Sequence, residues 1–481
     1  MYCLMYFDVE DFLSEPDHPV HLLPLQFAEI MARHGLQGSF HILGEKVRFM
    51  ERHNQKRVIE AVRQHDVSLH FDRGSVHPTT AEEVSHLDWF EGVDRVLFRE
   101  LPGIQTLERV FGKCSAITRH GSTYATQIAY AAGKMGKPFF SSPFNLAGRN
   151  VAWFCNNLAI ATGEGGSFDR EYKDTPAFDK KLEAQNEYLR AQMGKVDLVP
   201  LFGCHPLITI MEEFPDGINF IRGARPPREQ WKAPVMIKGV SIPTIMANFE
   251  RRIKGLSEFP GLEWTTTGGI ARLYGRRPVR VSDRVVLEGA RAVAANGGPT
   301  YTQALSAGEL LCLLARRKLA PARIYEVPQI MGPVKACKET VRNVMSIRDM
   351  RATCLEIVGH MQDSGYLPEC LGRESENISL ESALLALACD AAGLDLGAVK
   401  SPRLTVDAIP GFSSAAQEVS RLKDWRIHAP DFGQESVSKY FRWQAWTLKP
   451  AFRADEYGPG VETGTHLNPA LPFAMGSHAA V

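Results

Sequence analysis

The chain has 481 residues, with Lys and Arg numbering 55 against 55 Asp and Glu, and 44% of its residues are hydrophobic. Length and apolar content suffice for about two or three domains with a buried core, while zero formal net charge and the lack of a basic run argue against a nucleic-acid or polyanion binder. The nine cysteines are scattered without short paired spacings, so neither a disulfide framework nor a cysteine zinc knuckle is expected.

The first apolar run begins almost at Met1, where a secretory leader would carry a charged and then an apolar region, and no stretch approaches the ~20 apolar residues of a membrane span. A cytoplasmic protein is the expectation. From 1 to 275 strand and helix patterns alternate. Strands are predicted over 1–8, 38–43, 67–71, 115–118, 138–142, 196–204 and 262–266; helices are predicted over 25–34, stopping at Gly35, and over 56–65 and 127–134. Such repetition predicts a parallel sheet or barrel with functional groups at the C-terminal strand ends, which is where Asp8, His70, Arg119 and His205 fall.

The basic segment 275–282 contains Pro278 and is read as a boundary, giving a first domain over 1–275 and a linker over 276–300. A mainly α-helical domain follows over 301–450, with helices at 307–318, 334–363, 380–392, 415–425 and 437–447. They are broken at Gly332-Pro333, Leu367-Pro368 and Pro410-Gly411. Two of these helices start alike, after Ser306 and Ser379, as ordinary serine-capped helices do. Residues 451–481 are rich in Gly, Pro and small side chains and read as a loose tail.

The most informative feature is Tyr6-Phe7-Asp8-Val9-Glu10-Asp11. In an extended strand alternate residues share a face, so Asp8 and Glu10 aim at one point. Two carboxylates beside an apolar strand call for a metal ion that offsets their repulsion, or for a general base working next to one. The plain alternative is a solvated helix cap.

Three stretches together resemble the polysaccharide deacetylase family, also called the NodB-homology or carbohydrate esterase 4 group. They are Phe7-Asp8-Val9-Glu10-Asp11; the segment from His34-Gly35 through Ser39-Phe40-His41-Ile42-Leu43-Gly44; and His65-Asp66-Val67-Ser68-Leu69-His70. Thr118-Arg119-His120-Gly121, Leu201-Phe202-Gly203-Cys204-His205-Pro206 and Glu263-Trp264-Thr265-Thr266 continue the match, which covers about the first 275 residues and none of the helical region. The resemblance implies a distorted (β/α)7 barrel and metal-assisted amide hydrolysis.

By the same resemblance Asp8 is the base, Glu10 and His70 are metal ligands, His205 is the acid that protonates the leaving amine, and Arg119 fixes the carboxylate of Asp8. The cofactor so implied is a divalent ion, Zn with Co, Mn or Ni as alternatives. The family's second metal histidine has no counterpart here, since its position holds Gly74. His77, followed by Pro78, is taken as the ligand, with Asp72 as its competitor. Each assignment has a plainer counterpart: His70 as a core histidine, His77 as a solvated loop residue, His205 as packing before Pro206, Arg119 as a surface charge.

Trp153, Phe154, Asn156 and Asn157 lie where a substrate-shaping loop is expected, and Trp153 and Asn156 are taken as substrate contacts, with a core role the equal alternative for Trp153. Gly163-Glu164-Gly165-Gly166 is no phosphate loop, because no Lys-Ser/Thr follows. Arg442, Trp443, Trp446 and Lys449 read as a helix packing its aromatic face on a neighbouring domain.

The combined expectation is a metal-dependent hydrolase removing an N-acyl group, acetyl first, from a small-molecule, nucleotide-linked or lipid-carrier-linked amino sugar. The helical domain would close over the site or mediate self-association. Two rivals are another C–N hydrolysis or an epimerisation beside a carbonyl on the same site, and a metal-free carbohydrate-binding protein.

Overall fold

The computed structural model describes residues 1–162, 167–336, 341–342, 347–372, 377–399 and 402–465. The glycine-rich segment 163–166 and the tail beyond 465 lie outside the described residues. The architecture is mixed α/β: a curled, mainly parallel sheet covered by helices, joined to a helical region.

The strands are β1 (Tyr2–Val9), β2 (Ser39–Ile42), β3 (Asp66–Leu69), β4 (Ile117–Thr118), β5 (Phe139–Ser142), β6 (Val151–Phe154), β7 (Asn157–Ala161), β8 (Leu198–Cys204), β9 (Glu263–Trp264), β10 (Arg276–Ser282), β11 (Ile324–Glu326), β12 (Val341–Arg342), β13 (Asn377–Ile378), β14 (Lys449–Pro450) and β15 (Val461–Thr465). The main sheet runs β14-β6-β7-β5-β4-β3-β2-β1-β8, with β9 also paired to β1. Among the described residues this path is open, so the sheet curls without closing on itself as the expected barrel would.

Pairs from β1 through β5, together with β5–β7, β1–β8 and β1–β9, are parallel, as strand–helix alternation requires. Cys3, Leu4, Met5 and Phe7 of β1 are buried, because a parallel strand is covered on both faces. The segment 151–161 is an antiparallel hairpin, β6–β7, and β14 joins it from the far end of the chain.

Helix Trp89–Phe111 runs 23 residues through Pro102 and passes close over β3. Gly103 permits that approach, since a Cβ there would lie 2.7 Å from Leu69 Cδ1 and 2.9 Å from Asp72 Oδ1.

The expected linker 276–300 is a correction. It forms β10, the middle of a three-stranded antiparallel sheet with β11 and β15, and then helix Asp283–Asn296. Pro278 is tolerated because the β10–β15 register shifts between Pro278 and Arg280, a bulge where no ladder donor is needed. The tail assignment is corrected in part as well, since 461–465 forms β15.

Helices Ala307–Leu319, Ile347–Ser364, Leu380–Ala392, Phe412–Arg421 and Gln434–Gln444 make up the rest of the helical region. Ser306 caps the first in a reciprocal pair with Glu309, and Ser379 caps the third. Cys3, Cys114, Cys155, Cys204, Cys312, Cys354 and Cys389 are free thiols. Among the described residues no helix is long and apolar enough to cross a membrane.

Candidate active site

Alternation along β1 sorts its side chains. Phe7 packs on Phe27 and Phe40 at 5.7 and 4.9 Å between ring centroids, on the helix-covered side. Tyr6 turns the other way onto His41, Phe140 and Phe202 at 5.1, 4.9 and 4.9 Å, making an apolar floor. Asp8 and Glu10 follow Tyr6 on that face.

The parallel register sets Asp8 opposite His41 on β2, whose Nδ1–H donates to Asp8 Oδ1 at 3.1 Å. His70 follows the end of β3. Its Nε2 lies 3.2 Å from Glu10 Oε1 and 3.8 Å from Asp8 Oδ2, and its Nδ1 is 2.7 Å from Thr118 Oγ1 on β4. His120, two residues past β4, brings its Nε2 to 3.3 Å from the same Glu10 Oε1. His205, following β8, puts Nε2 3.7 Å from Asp8 Oδ2, while its Nδ1 lies 3.1 Å from Asp169 Oδ2 and its backbone N–H donates to Asp169 Oδ1 at 2.7 Å.

Glu10, His70 and His120 together form a candidate metal-binding group. An ion with tetrahedral bonds of ~2.0–2.2 Å sets its ligand atoms about 3.3–3.6 Å apart. The 3.2 and 3.3 Å separations at Glu10 Oε1 match that spacing closely. Thr118 supports His70 from behind, as metal-ligating histidines require. One carboxylate and two imidazoles fit a divalent ion and leave coordination positions open.

Charge is shared out by these contacts. Burial opposes ionisation of Glu10, but His120, His205 and His70 outweigh it and hold the carboxyl well below the usual range. Asp8 is lowered too, with burial opposed by His70, His41 and His205. Burial also works against a charged His205, yet Glu10, Asp169 and Asp8 raise its pKa to about 9. His120 is raised by Glu10 against burial, whereas burial prevails at His70 and lowers it.

The cluster thus gathers Asp8, Glu10, His70 and His205 of the residues expected from sequence. It does not gather His77, whose side chain is fully buried elsewhere with Nδ1 2.6 Å from Glu82 Oε2 and Nε2 donating to Phe220 O at 3.1 Å. With both ring nitrogens engaged, His77 has none to offer an ion, and the histidine grouped with Glu10 and His70 is His120. Asp72 is likewise taken, accepting from Arg48 at 2.8 Å.

Arg119 sits half-buried beside His120, but the ion-pair partners of Asp8 among the described residues are His41, His70 and His205. Burial lowers the Arg119 pKa against Glu418, Tyr124, Tyr6 and Asp8. Trp153 belongs to a buried apolar cluster with Tyr6, Leu158 and Tyr274 and pairs in register with Lys449, so it takes the core role. Asn156 sits at the hairpin turn and donates to Ile330 O at 3.1 Å, towards the helical region. Phe154 packs on Phe144 and Phe441, and Asn157 donates to Ala129 O and Lys137 O.

His41, His120 and Asp169 are the residues that sequence reading passed over. His120 lay inside the quoted Thr118-Arg119-His120-Gly121 stretch, and a histidine after a strand end was its signal. His41 needed the strand register, and Asp169 had no local signal.

No protein-family model matches the chain, and no curated protein matches it. Among solved structures it is similar to carbohydrate esterase family 4 proteins over roughly half its length. A protein from Mycobacterium smegmatis described as a polysaccharide deacetylase is 13% identical, with 56% of this chain and 89% of that chain covered and a TM-score of 0.35. A polysaccharide deacetylase from Bacillus cereus gives 11% identity, 55% and 91% coverage and 0.30. A family 4 acetyl xylan esterase from Clostridium thermocellum, in complex with cobalt, gives 10%, 57% and 92%, and 0.29.

Proposed function

We propose that the protein is a metal-dependent hydrolase that removes an N-acyl group, acetyl in the first instance, from an amino-sugar substrate. The observation that carries this reading is the convergence of His70 Nε2 and His120 Nε2 on one oxygen of Glu10, with Asp8 and His205 flanking them. A divalent ion held there would lower the pKa of a bound water and polarise the substrate carbonyl.

The protein's own groups do the rest. Asp8, kept ionised by three histidines, is placed to accept the water's proton. His41 fixes its Oδ1 and leaves Oδ2 towards His70 and His205. His205, oriented by Asp169 and with its pKa raised by Glu10, Asp169 and Asp8 against burial, would hand a proton to the departing amine, which cannot leave as an anion. The acid and the base thus lie side by side at the more exposed edge of the cluster, His205 Nε2 3.7 Å from Asp8 Oδ2, where a substrate amide and a water can reach both. The ion would be Zn, with Co, Mn and Ni as alternatives, because imidazole and carboxylate ligands accept each of them.

The test combines elemental analysis of the purified full chain with acetate release from a panel of N-acetyl amino sugars in free, nucleotide-linked and lipid-linked form. One divalent ion per chain and metal-dependent acetate release are expected. A protein that takes up none of the four metals would overturn the proposal, and an Asp8→Asn variant with undiminished turnover would overturn the role of Asp8.

A further inference from the structure

The second half of the chain reaches the candidate site. Between helices Phe412–Arg421 and Gln434–Gln444, residues 425–429 lie as a strap across the loops that follow β3, β4 and β8. Trp425 places its ring centroid 6.3 Å from that of His120. Its indole also rests on the backbone of the next residue, since a Cβ at Gly121 would lie 2.6 Å from Trp425 Cζ2.

The strap is pinned at several points. Arg222 N–H and Gly223 N–H donate to Arg426 O and Ile427 O at 2.9 and 2.8 Å, and Arg426 pairs with Glu213 at 2.7 Å. Ala429 N–H donates to Glu82 Oε1 at 2.8 Å, while Glu82 Oε2 is occupied by His77 and by Thr79 N–H. Within the strap, Ile427 and His428 are buried. His77 thus serves the strap's anchor rather than the metal-ligand set.

Access to the cluster is unequal. Side-chain exposure is 2% at His70, 6% at His120 and 7% at Glu10, against 14% at Asp8 and 22% at His205. The opening is therefore on the Asp8–His205 side, and the opposite side is walled by the strap. An internal unit of a long polymer needs room for chain on both sides of its acylated ring, whereas a free or terminal unit needs one opening.

We infer that Trp425 is a specificity-determining residue of this site, forming with the 425–429 strap a wall that restricts it to a free or terminal N-acylated amino-sugar ring. The side chain is chemically suited to that role, because an indole offers a rigid apolar face to the C–H face of a sugar ring or to an acyl methyl. This inference rests on the N-acyl amino-sugar reading above.

The experiment measures calorimetric binding and acetate release for N-acetylglucosamine and its β-1,4-linked oligomers up to the hexamer, in wild type, Trp425→Ala and Trp425→Phe. Thermal denaturation confirms that both variants fold; the Phe variant keeps an aromatic face should the Ala variant fail to fold. Wild type is expected to bind the monosaccharide and to release from the hexamer only the acetate of a terminal ring. Trp425→Ala should weaken monosaccharide binding about three- to tenfold and release acetate from internal rings as well, while Trp425→Phe should retain most of the affinity and of the confinement to terminal rings.

Wild-type release of acetate from internal rings of the hexamer, or folded Trp425→Ala with wild-type monosaccharide affinity and the same confinement to terminal rings, would overturn the inference, and if acetate is still released the hydrolase reading survives. Binding that depends on Trp425 without any acetate release supports the inference and removes the hydrolase reading. No binding and no release at any length removes both.

Discussion

Exchanging His77 for His120 as the second metal histidine can be tested with a pair of alanine variants. In His120→Ala the ligand set falls from three to two. Loss of a supporting partner behind a ligand alone costs about 10–100-fold in metal affinity, so loss of a ligand should cost more than about 100-fold, or above ~2.7 kcal/mol. In His77→Ala the metal-ligand set is untouched, but Phe220 O loses its donor and Glu82 Oε2 keeps only Thr79 N–H. Leaving a buried group unsatisfied costs about 1–3 kcal/mol. With two groups affected and partial rescue by Thr79, a loss of about 2–4 kcal/mol is expected. Competition with a chromophoric chelator reads metal affinity, and urea denaturation of the metal-free protein reads stability. Wild-type metal affinity in His120→Ala, or a large loss of affinity in a folded His77→Ala, would refute the reasoning.

Three more outcomes follow from other contacts. His65 accepts from Gly38 N–H through Nδ1 and donates to Ala28 O through Nε2, so only the neutral ring fits; burial lowers its pKa from 6.5 to about 4. That contribution is complete above pH ~6.5 and is lost as pH falls towards 4, up to ~3 kcal/mol in all; His65→Gln should flatten this acid-side loss in urea titrations at pH 7.5 and 4.5, and parallel curves would count against it. Asp169→Asn removes a charge that raises His205, so the basic limb of a kcat–pH profile should move down by about 1–3 units; an unmoved limb would show that Asp169 does not tune the acid. Gly103→Ala forces a Cβ against Leu69 and Asp72, and thermal denaturation should register a loss of about 1–3 kcal/mol; an unchanged midpoint would mean the helix over β3 shifts freely.

What was legible in the sequence follows physical range. Asp8, Glu10 and His70 were readable because strand alternation and strand ends are local properties, visible in a handful of consecutive residues. His41 was not, since only the β1–β2 register brings it beside Asp8. Asp169 lies on a loop and meets His205 across 36 residues, with no periodicity to mark it. The His77-Pro78 pair misled because it imitated a motif, while the buried Glu82 that claims its ring is set by a helix cap at Thr79. Trp153 and Asn156 were read as loop residues because the hairpin 151–161 is two short strands with an apolar run too brief to separate from its surroundings. Pro278 suggested a boundary where the chain makes a bulge, which propensity alone cannot distinguish.

The small strand β14 carries a consequence for how the molecule can be divided. Lys449 and Pro450 cover the outer margin of β6, and the buried Lys449 ammonium is held by Glu309 at 2.6 Å and by Ala304 O at 2.9 Å. A truncation ending near residue 275 would strip that cover. The backbone of Val151–Phe154 would then present unpaired donors and acceptors beside an apolar face, which is a template for association with other chains. The N-terminal half is thus shielded from self-association by the C-terminal half, and the two are to be expressed and studied as one unit.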